Sequence, residues 1–155
     1  MRSVLAEPII SHSPEETESI GAKLGANLRG GETIELISDL GGGKTTFVRG
    51  LARGLGSKDV VASPTFTINR QYKAGVLTLY HFDFYRLSES GNIADELAEI
   101  IDDLQAVIVV EWGEIVKNVL PGERFTITFE FAGESDRKLT FAYPSTLTYL
   151  TSKVA

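Results

Sequence analysis

The chain has 155 residues, 43% of them hydrophobic and 23% charged, with 15 Lys and Arg against 21 Asp and Glu for a formal net charge of −6. This length and balance fit one soluble globular domain with a single core. The acidic excess argues against broad adhesion to DNA, RNA or an anionic membrane, so any RNA connection is expected to run through a partner. The absence of cysteine removes disulfides, thiolate catalysis and zinc–sulfur sites, and two histidines, His12 and His81, cannot form a histidine metal cage, which leaves oxygen-bound magnesium as the natural ion. The apolar stretch within Met1–Glu7 is too short for a signal peptide, and the longest aliphatic run, Ala106–Val110, is far short of a membrane span, so the expected location is cytoplasmic.

The first predicted element is a helix opened by Ser13 as N-cap, Pro14 at the first helical position and Glu16 placed to close a capping box, with Ile20, Leu24 and Leu28 lining one face. Glu32–Ile37 then reads as a strand. It runs into Ser38-Asp39-Leu40-Gly41-Gly42-Gly43-Lys44-Thr45-Thr46, a phosphate-binding loop of the GxxxxGK[ST] type with serine in place of the first glycine. A loop that wraps a triphosphate must aim successive backbone N–H groups inward, which glycines permit. Lys44 supplies a point charge for the β- and γ-phosphates, Thr45 a hydroxyl for Mg²⁺, and the following helix its positive dipole end. Phe47, Val48, Leu51, Ala52 and Leu55 give that helix its buried face before Gly56 stops it. Gly50 and Gly54 inside it each cost about 1 kcal/mol relative to alanine and so point to tight packing; Arg49 and Arg53 read as a solvated face.

Val60-Val61-Ala62-Ser63-Pro64 breaks the helical pattern, and Ser63-Pro64-Thr65-Phe66-Thr67 falls where proteins with such loops often carry a segment that senses the γ-phosphate, with Ser63, Thr65 and Thr67 as the candidate hydroxyls. The bland alternative is a proline-bent loop. Strand-like residues 65–72, a turn at Lys73-Ala74-Gly75 and a second strand from Val76 to Asp83 follow. A period of two puts Leu77, Leu79, His81 and Asp83 on one face, and Thr78, Tyr80, Phe82 and Phe84 on the other. Asp83, at the strand end, is a candidate magnesium ligand or else a partner of Arg86; His81 reads as a packed strand histidine before it reads as a general base.

Residues 92–104 suggest a short acidic helix, and Ala106–Val110 a fully buried parallel strand closed by Glu111, in the manner of a Walker B carboxylate facing the metal or its water. Trp112–Leu120 suggests another short helix before Pro121-Gly122. Segments 124–131 and 137–143 alternate as a closing hairpin, and the Ser/Thr-rich residues from about 144 show no legible element. The three oxygen donors Thr45, Asp83 and Glu111 form the candidate metal set, with Lys44, Asp83 and Glu111 as the candidate catalytic groups. Which carboxylate holds metal and which orients water stays open.

These motifs, in order and at these spacings, resemble the bacterial TsaE (YjeE) ATPases of tRNA threonylcarbamoyladenosine modification: the Pro14–Thr17 helix start, Asp39–Gly50, Ser63–Thr67, His81-Phe82-Asp83-Phe84-Tyr85-Arg86-Leu87 and Glu111-Trp112-Gly113-Glu114. The resemblance implies a single-domain α/β fold over residues 1–155 of the P-loop NTPase type, with a mixed central sheet flanked by helices. It implies ATP and Mg²⁺ as ligands and the TsaB and TsaD subunits as partners, with tRNA met only through that complex. By matching position it implies phosphate contacts from Leu40, Gly41, Gly42, Gly43, Lys44, Thr45 and Thr46, with Asp83 and Glu111 on the metal and hydrolytic side. Two rival readings stand beside it: a small-molecule kinase, and an adaptor in which ATP only orders the Ser63–Thr67 loop.

Overall fold

The backbone of this protein, a computed structural model describing residues 3–38, 43–61, 69–84 and 91–154, is organised around one mixed sheet with helices on both faces. Chain order gives β1 (Ser3–Leu5), β2 (Ile9–Ser11), α1 (Pro14–Gly25), β3 (Thr33–Ile37), α2 (Lys44–Leu55), β4 (Asn69–Ala74), β5 (Leu77–Asp83), α3 (Gly91–Ile100), β6 (Ala106–Glu111), β7 (Phe125–Phe131) and β8 (Arg137–Pro144), with 3₁₀ turns at Gly113–Val116 and Ser145–Thr151. The strand order is β1-β8-β7-β3-β6-β5-β4, and β2 also pairs with β8. The four strands β7, β3, β6 and β5 run parallel to one another; β4, β8, β1 and β2 are antiparallel additions at the flanks.

Strand β6 explains the layering. All six of its residues are buried, as a strand covered on both faces must be. Its side chains alternate: Val107 and Val109 enter the larger core with α1 and α2, whereas Ile108 and Val110 enter a second core with Phe82, Phe84, Leu97 of α3, Val116 and Leu120. The same alternation in β5 sends Leu79 to the first core and Phe82 to the second, as the period of two predicted.

Helix α1 starts as the sequence indicated: the Ser13 hydroxyl accepts from Glu16 N–H at 3.1 Å. The Glu16 carboxylate reaches one residue further back than a standard capping box, accepting from His12 N–H at 2.8 Å. Helices α1 and α2 then meet through glycine. A Cβ added at Gly50 would stand 2.0 Å from Glu18 O, at Gly54 2.0 Å from Ala22 O, at Gly21 2.4 Å from Phe47 O and at Gly25 2.3 Å from Leu51 O. Backbone therefore lies on backbone, which is why two helix-weakening glycines are retained in α2. Arg49 and Arg53 are not a bare solvated face, since both guanidinium groups meet Glu18 of α1.

The segment after Pro144 has more structure than its composition suggested. Leu150 and Val154 are buried in the larger core. Asn27 Nδ2 donates to Leu150 O and Ser152 O at 2.9 and 2.8 Å, and Tyr149 donates its hydroxyl to the buried Glu32 at 2.6 Å. Glu32 also accepts from the backbone N–H of Arg29 and Gly30, so one carboxylate ties the α1–β3 turn to the chain end. Burial first, then the hydrogen bond to Glu32 and its charge, push the Tyr149 phenol above the usual tyrosine range.

Two stability predictions follow from these contacts. Gly50→Ala is expected to lose about 1–3 kcal/mol in urea unfolding despite its better helix propensity, because the methyl overlaps backbone that cannot move aside; Gly122→Ala, with nothing within 4 Å of the added Cβ, is expected to change little. Tyr149→Phe is expected to cost about 1–2 kcal/mol at neutral pH. A phenol pKa raised by folding contributes fully below the unfolded value of about 10 and is lost as pH rises through the folded one. Denaturant midpoints measured from pH 7 to 11 should therefore fall less steeply for Tyr149→Phe than for the parent.

Candidate functional site

Lys44 is the first residue of α2, where four backbone N–H groups have no partner within the helix. The preceding Gly43 sits in the left-handed region, φ 95°, which a glycine adopts without strain, and it offers no side chain to cap those groups. The first turn of α2 holds no acidic residue, in contrast to α1 with its Ser13 cap and Glu15 and Glu16. The start of α2 thus carries the positive end of the helix dipole without a side-chain cap, with the Lys44 ammonium beside it.

The parallel register decides what faces Lys44. Asp83 ends β5 and Glu111 ends β6, and the two are paired directly across the strands, while Leu36 of β3 pairs with Glu111 from the other side. In-register residues of parallel strands share a face, so both carboxylates stand on the α2 side of the sheet. Lys44 Nζ lies 3.7 Å from Glu111 Oε1, 3.3 Å from Ser38 O and 4.7 Å from the centre of the Trp112 ring. Lys44 and Glu111 are 7% and 3% exposed, so their charges act on each other with little water between. Trp112 itself holds a positive φ of 57°, a conformation uncommon for a bulky residue, directly after the carboxylate.

His81, which the sequence suggested was simply packed in its strand, is fully buried as expected and is also bonded through Nε2 to Glu111 Oε2. Its position two residues before Asp83 on the same face was visible in the period of two. The link to Glu111 was not, because it depends on which strand lies next to β5. Thr45 and Thr46 occupy the first turn of α2, partly exposed. Thr46 and Gly43 also border a cleft of about 310 Å³ whose other walls include Ser13 and Thr17 of α1 and Glu134 and Arg137 at the β7–β8 turn. Arg137 stacks on Phe131, and its Nε is buried with no hydrogen-bond partner among the described residues. Nothing in the sequence singled out this cleft, since its walls come from three distant segments.

Leu40, Gly41 and Gly42 of the expected phosphate loop lie outside the described residues, as do Ser63, Thr65 and Thr67 and the segment Tyr85-Arg86-Leu87. Among the described residues no three His, Asp or Glu side chains gather around one point as a protein-only metal cage. Thr45, Asp83 and Glu111 are nevertheless hard oxygen donors, and Mg²⁺ commonly takes only one or two protein ligands with phosphate and water supplying the rest, so the donor set fits that ion. No helix among the described residues is long and apolar enough to cross a membrane.

Comparison with known proteins bears on this arrangement. The family model for "Threonylcarbamoyl adenosine biosynthesis protein TsaE" matches residues 11–139. The tRNA threonylcarbamoyladenosine biosynthesis protein TsaE of Bacillus subtilis is 42% identical over 132 residues, covering 83% of this chain and 80% of that protein. The protein of the same name from Treponema pallidum is 39% identical over 133 residues, covering 86% and 98%. The crystal structure of Bacillus subtilis YdiB superposes with a TM-score of 0.80 at 32% identity, over 99% of this chain and 96% of that one. With most of its sequence matched in both family and fold, the chain belongs to the TsaE family.

Proposed function

We propose that this protein is a Mg²⁺-dependent ATPase that supports threonylcarbamoyladenosine modification of tRNA, acting with TsaB and TsaD and meeting tRNA only through them. The observation that carries the ATPase reading is the Lys44 ammonium at the open start of α2, 3.7 Å from Glu111, with Asp83 in register beside it. A buried ion pair adds little to stability against well-packed apolar residues. Its retention at a helix start is accounted for if Lys44 and Glu111 have a triphosphate to serve.

In this reading the β- and γ-phosphates take the Lys44 ammonium and the N–H groups of α2, and Thr46 and Gly43 lead the nucleoside end into the cleft beside α1 and Arg137. Thr45 and Asp83 would hold Mg²⁺, which when bound neutralises part of the charge on the phosphate oxygens. Glu111 orients a water in line with the γ-phosphorus. The water oxygen forms the new P–O bond as the bond to the β-phosphate oxygen breaks, giving ADP and phosphate, with the water proton passing to the carboxylate or the released phosphate. The work is positioning and charge placement.

Trp112 is the sole tryptophan of the chain and its ring lies close to Lys44, so its fluorescence is suited to following nucleotide binding. Lys44→Ala is expected to weaken ATP binding by about 1.5–3 kcal/mol, roughly 10- to 150-fold, in such a titration. Unchanged binding and turnover would overturn the phosphate assignment. Glu111→Gln is expected to keep ATP affinity while lowering turnover by about 10²- to 10⁴-fold, and Asp83→Asn to raise the Mg²⁺ concentration needed for half-maximal rate. If Glu111→Gln still supports repeated rounds of tRNA modification with TsaB and TsaD, ATP acts only as an ordering ligand and the ATPase role falls.

A further inference from the structure

We infer that His81 is a positioning residue that fixes the Glu111 carboxylate, holding one oxygen so that the other faces the phosphate site; this rests on the ATPase reading of Glu111. His81 has no exposed surface, and its ring has two nitrogens with different fates. Nε2 meets Glu111 Oε2, whereas Nδ1 is buried with no hydrogen-bond partner among the described residues. A proton on Nδ1 would be a buried donor with no acceptor among the described residues, and a bare Nε2 would set its lone pair against a carboxylate oxygen. The proton therefore resides on Nε2, and the imidazole donates to Glu111.

Register gives this bond its consequence. His81 pairs with Val109 and Asp83 with Glu111, so the imidazole stands one pleat behind the carboxylate on the same face, deeper in the sheet. From there it takes Oε2, leaving Oε1 as the oxygen directed to Lys44 at 3.7 Å. A glutamate carboxylate on three rotatable bonds would otherwise sample several orientations, only some of which place a basic oxygen beside the γ-phosphate. The imidazole removes that freedom without touching nucleotide or water, and a misplacement of about 1 Å in such a group can cost on the order of 10²-fold in rate. The arrangement is the one by which a histidine ligand or base is oriented by a carboxylate, with the roles exchanged.

The test uses the full chain. His81→Met keeps similar apolar bulk but removes the donor, and His81→Gln returns an N–H near the place of Nε2. His81→Met is expected to lower kcat by about 10- to 100-fold with the Trp112-monitored affinity for ATP within about 3-fold of the parent, and His81→Gln to recover most of the loss. Because the effect acts through Glu111, His81→Met combined with Glu111→Gln should be no slower than Glu111→Gln alone. With only two histidines in the chain, ¹⁵N-resolved NMR of the unmodified protein should also show His81 as the Nε2–H tautomer, with its ring signals displaced by Glu111→Gln; this readout does not depend on His81→Met folding. An Nδ1–H tautomer, a multiplicative loss in the double variant, or a wild-type kcat for His81→Met beside a slow Glu111→Gln overturns the positioning role alone. A wild-type rate for Glu111→Gln overturns the water-orienting role of Glu111 and this inference with it.

Discussion

The parallel pairing of β3, β6 and β5 is the constraint on which the site depends. It aligns three strand ends, so that Leu36, Glu111 and Asp83 stand in one row. The chain leaves β3 toward α2 at that same edge, returning Lys44 to within reach of the row. A shift of one residue between β5 and β6 would turn Asp83 or Glu111 to the opposite face, away from α2. The shift is opposed by the packing of both faces of β6: moving it would push Val107 and Val109 out of one core and Ile108 and Val110 out of the other. Hydrophobic alternation thus sets the chemistry's geometry before any polar contact is made.

The two helices on the α2 side of the sheet show how local sequence divides support from function. Helix α1 spends its own side chains on its first turn: Ser13 and Glu16 satisfy backbone groups, and Ser11 and Thr17 hydroxyls bond each other at 2.7 Å within the protein. Helix α2 begins with glycine, lysine and two threonines and satisfies none of its early N–H groups with side chains of its own cap. The buried charges follow the same division. Glu32 is fully engaged by two backbone N–H groups and Tyr149, whereas Glu111 is held by a histidine on one oxygen and a lysine on the other.

Much of this could be read from the chain because the signals were local. The Ser13-Pro14 start, the opening of α2 at Gly43-Lys44, the stop at Gly56 and the unbroken apolar run of β6 each combine a residue type with a near neighbour. What escaped reading was set by distant partners. Strands β1 and β2 are only three residues each and exist by pairing with β8, more than a hundred residues away. The segment after Pro144 hides Leu150 and Val154 among serines and threonines, and its anchors, Asn27 and Glu32, lie in the turn after α1. His81 belongs to the same class, since its bond to Glu111 spans thirty residues and follows only from strand order.

The glycine contact between α1 and α2 limits how the molecule can move. Helices packed through interleaved side chains can slide by small rotamer adjustments, which is how shear motions arise. Here the touching surfaces are peptide groups, with Gly21, Gly25, Gly50 and Gly54 each admitting a neighbouring carbonyl that no side chain can give way to. Sliding by one residue would bring a Cβ against a carbonyl at every one of these positions. The pair therefore behaves as one stiff block, and α2 cannot slide along α1 like a piston to carry a displacement at Lys44 to its own far end.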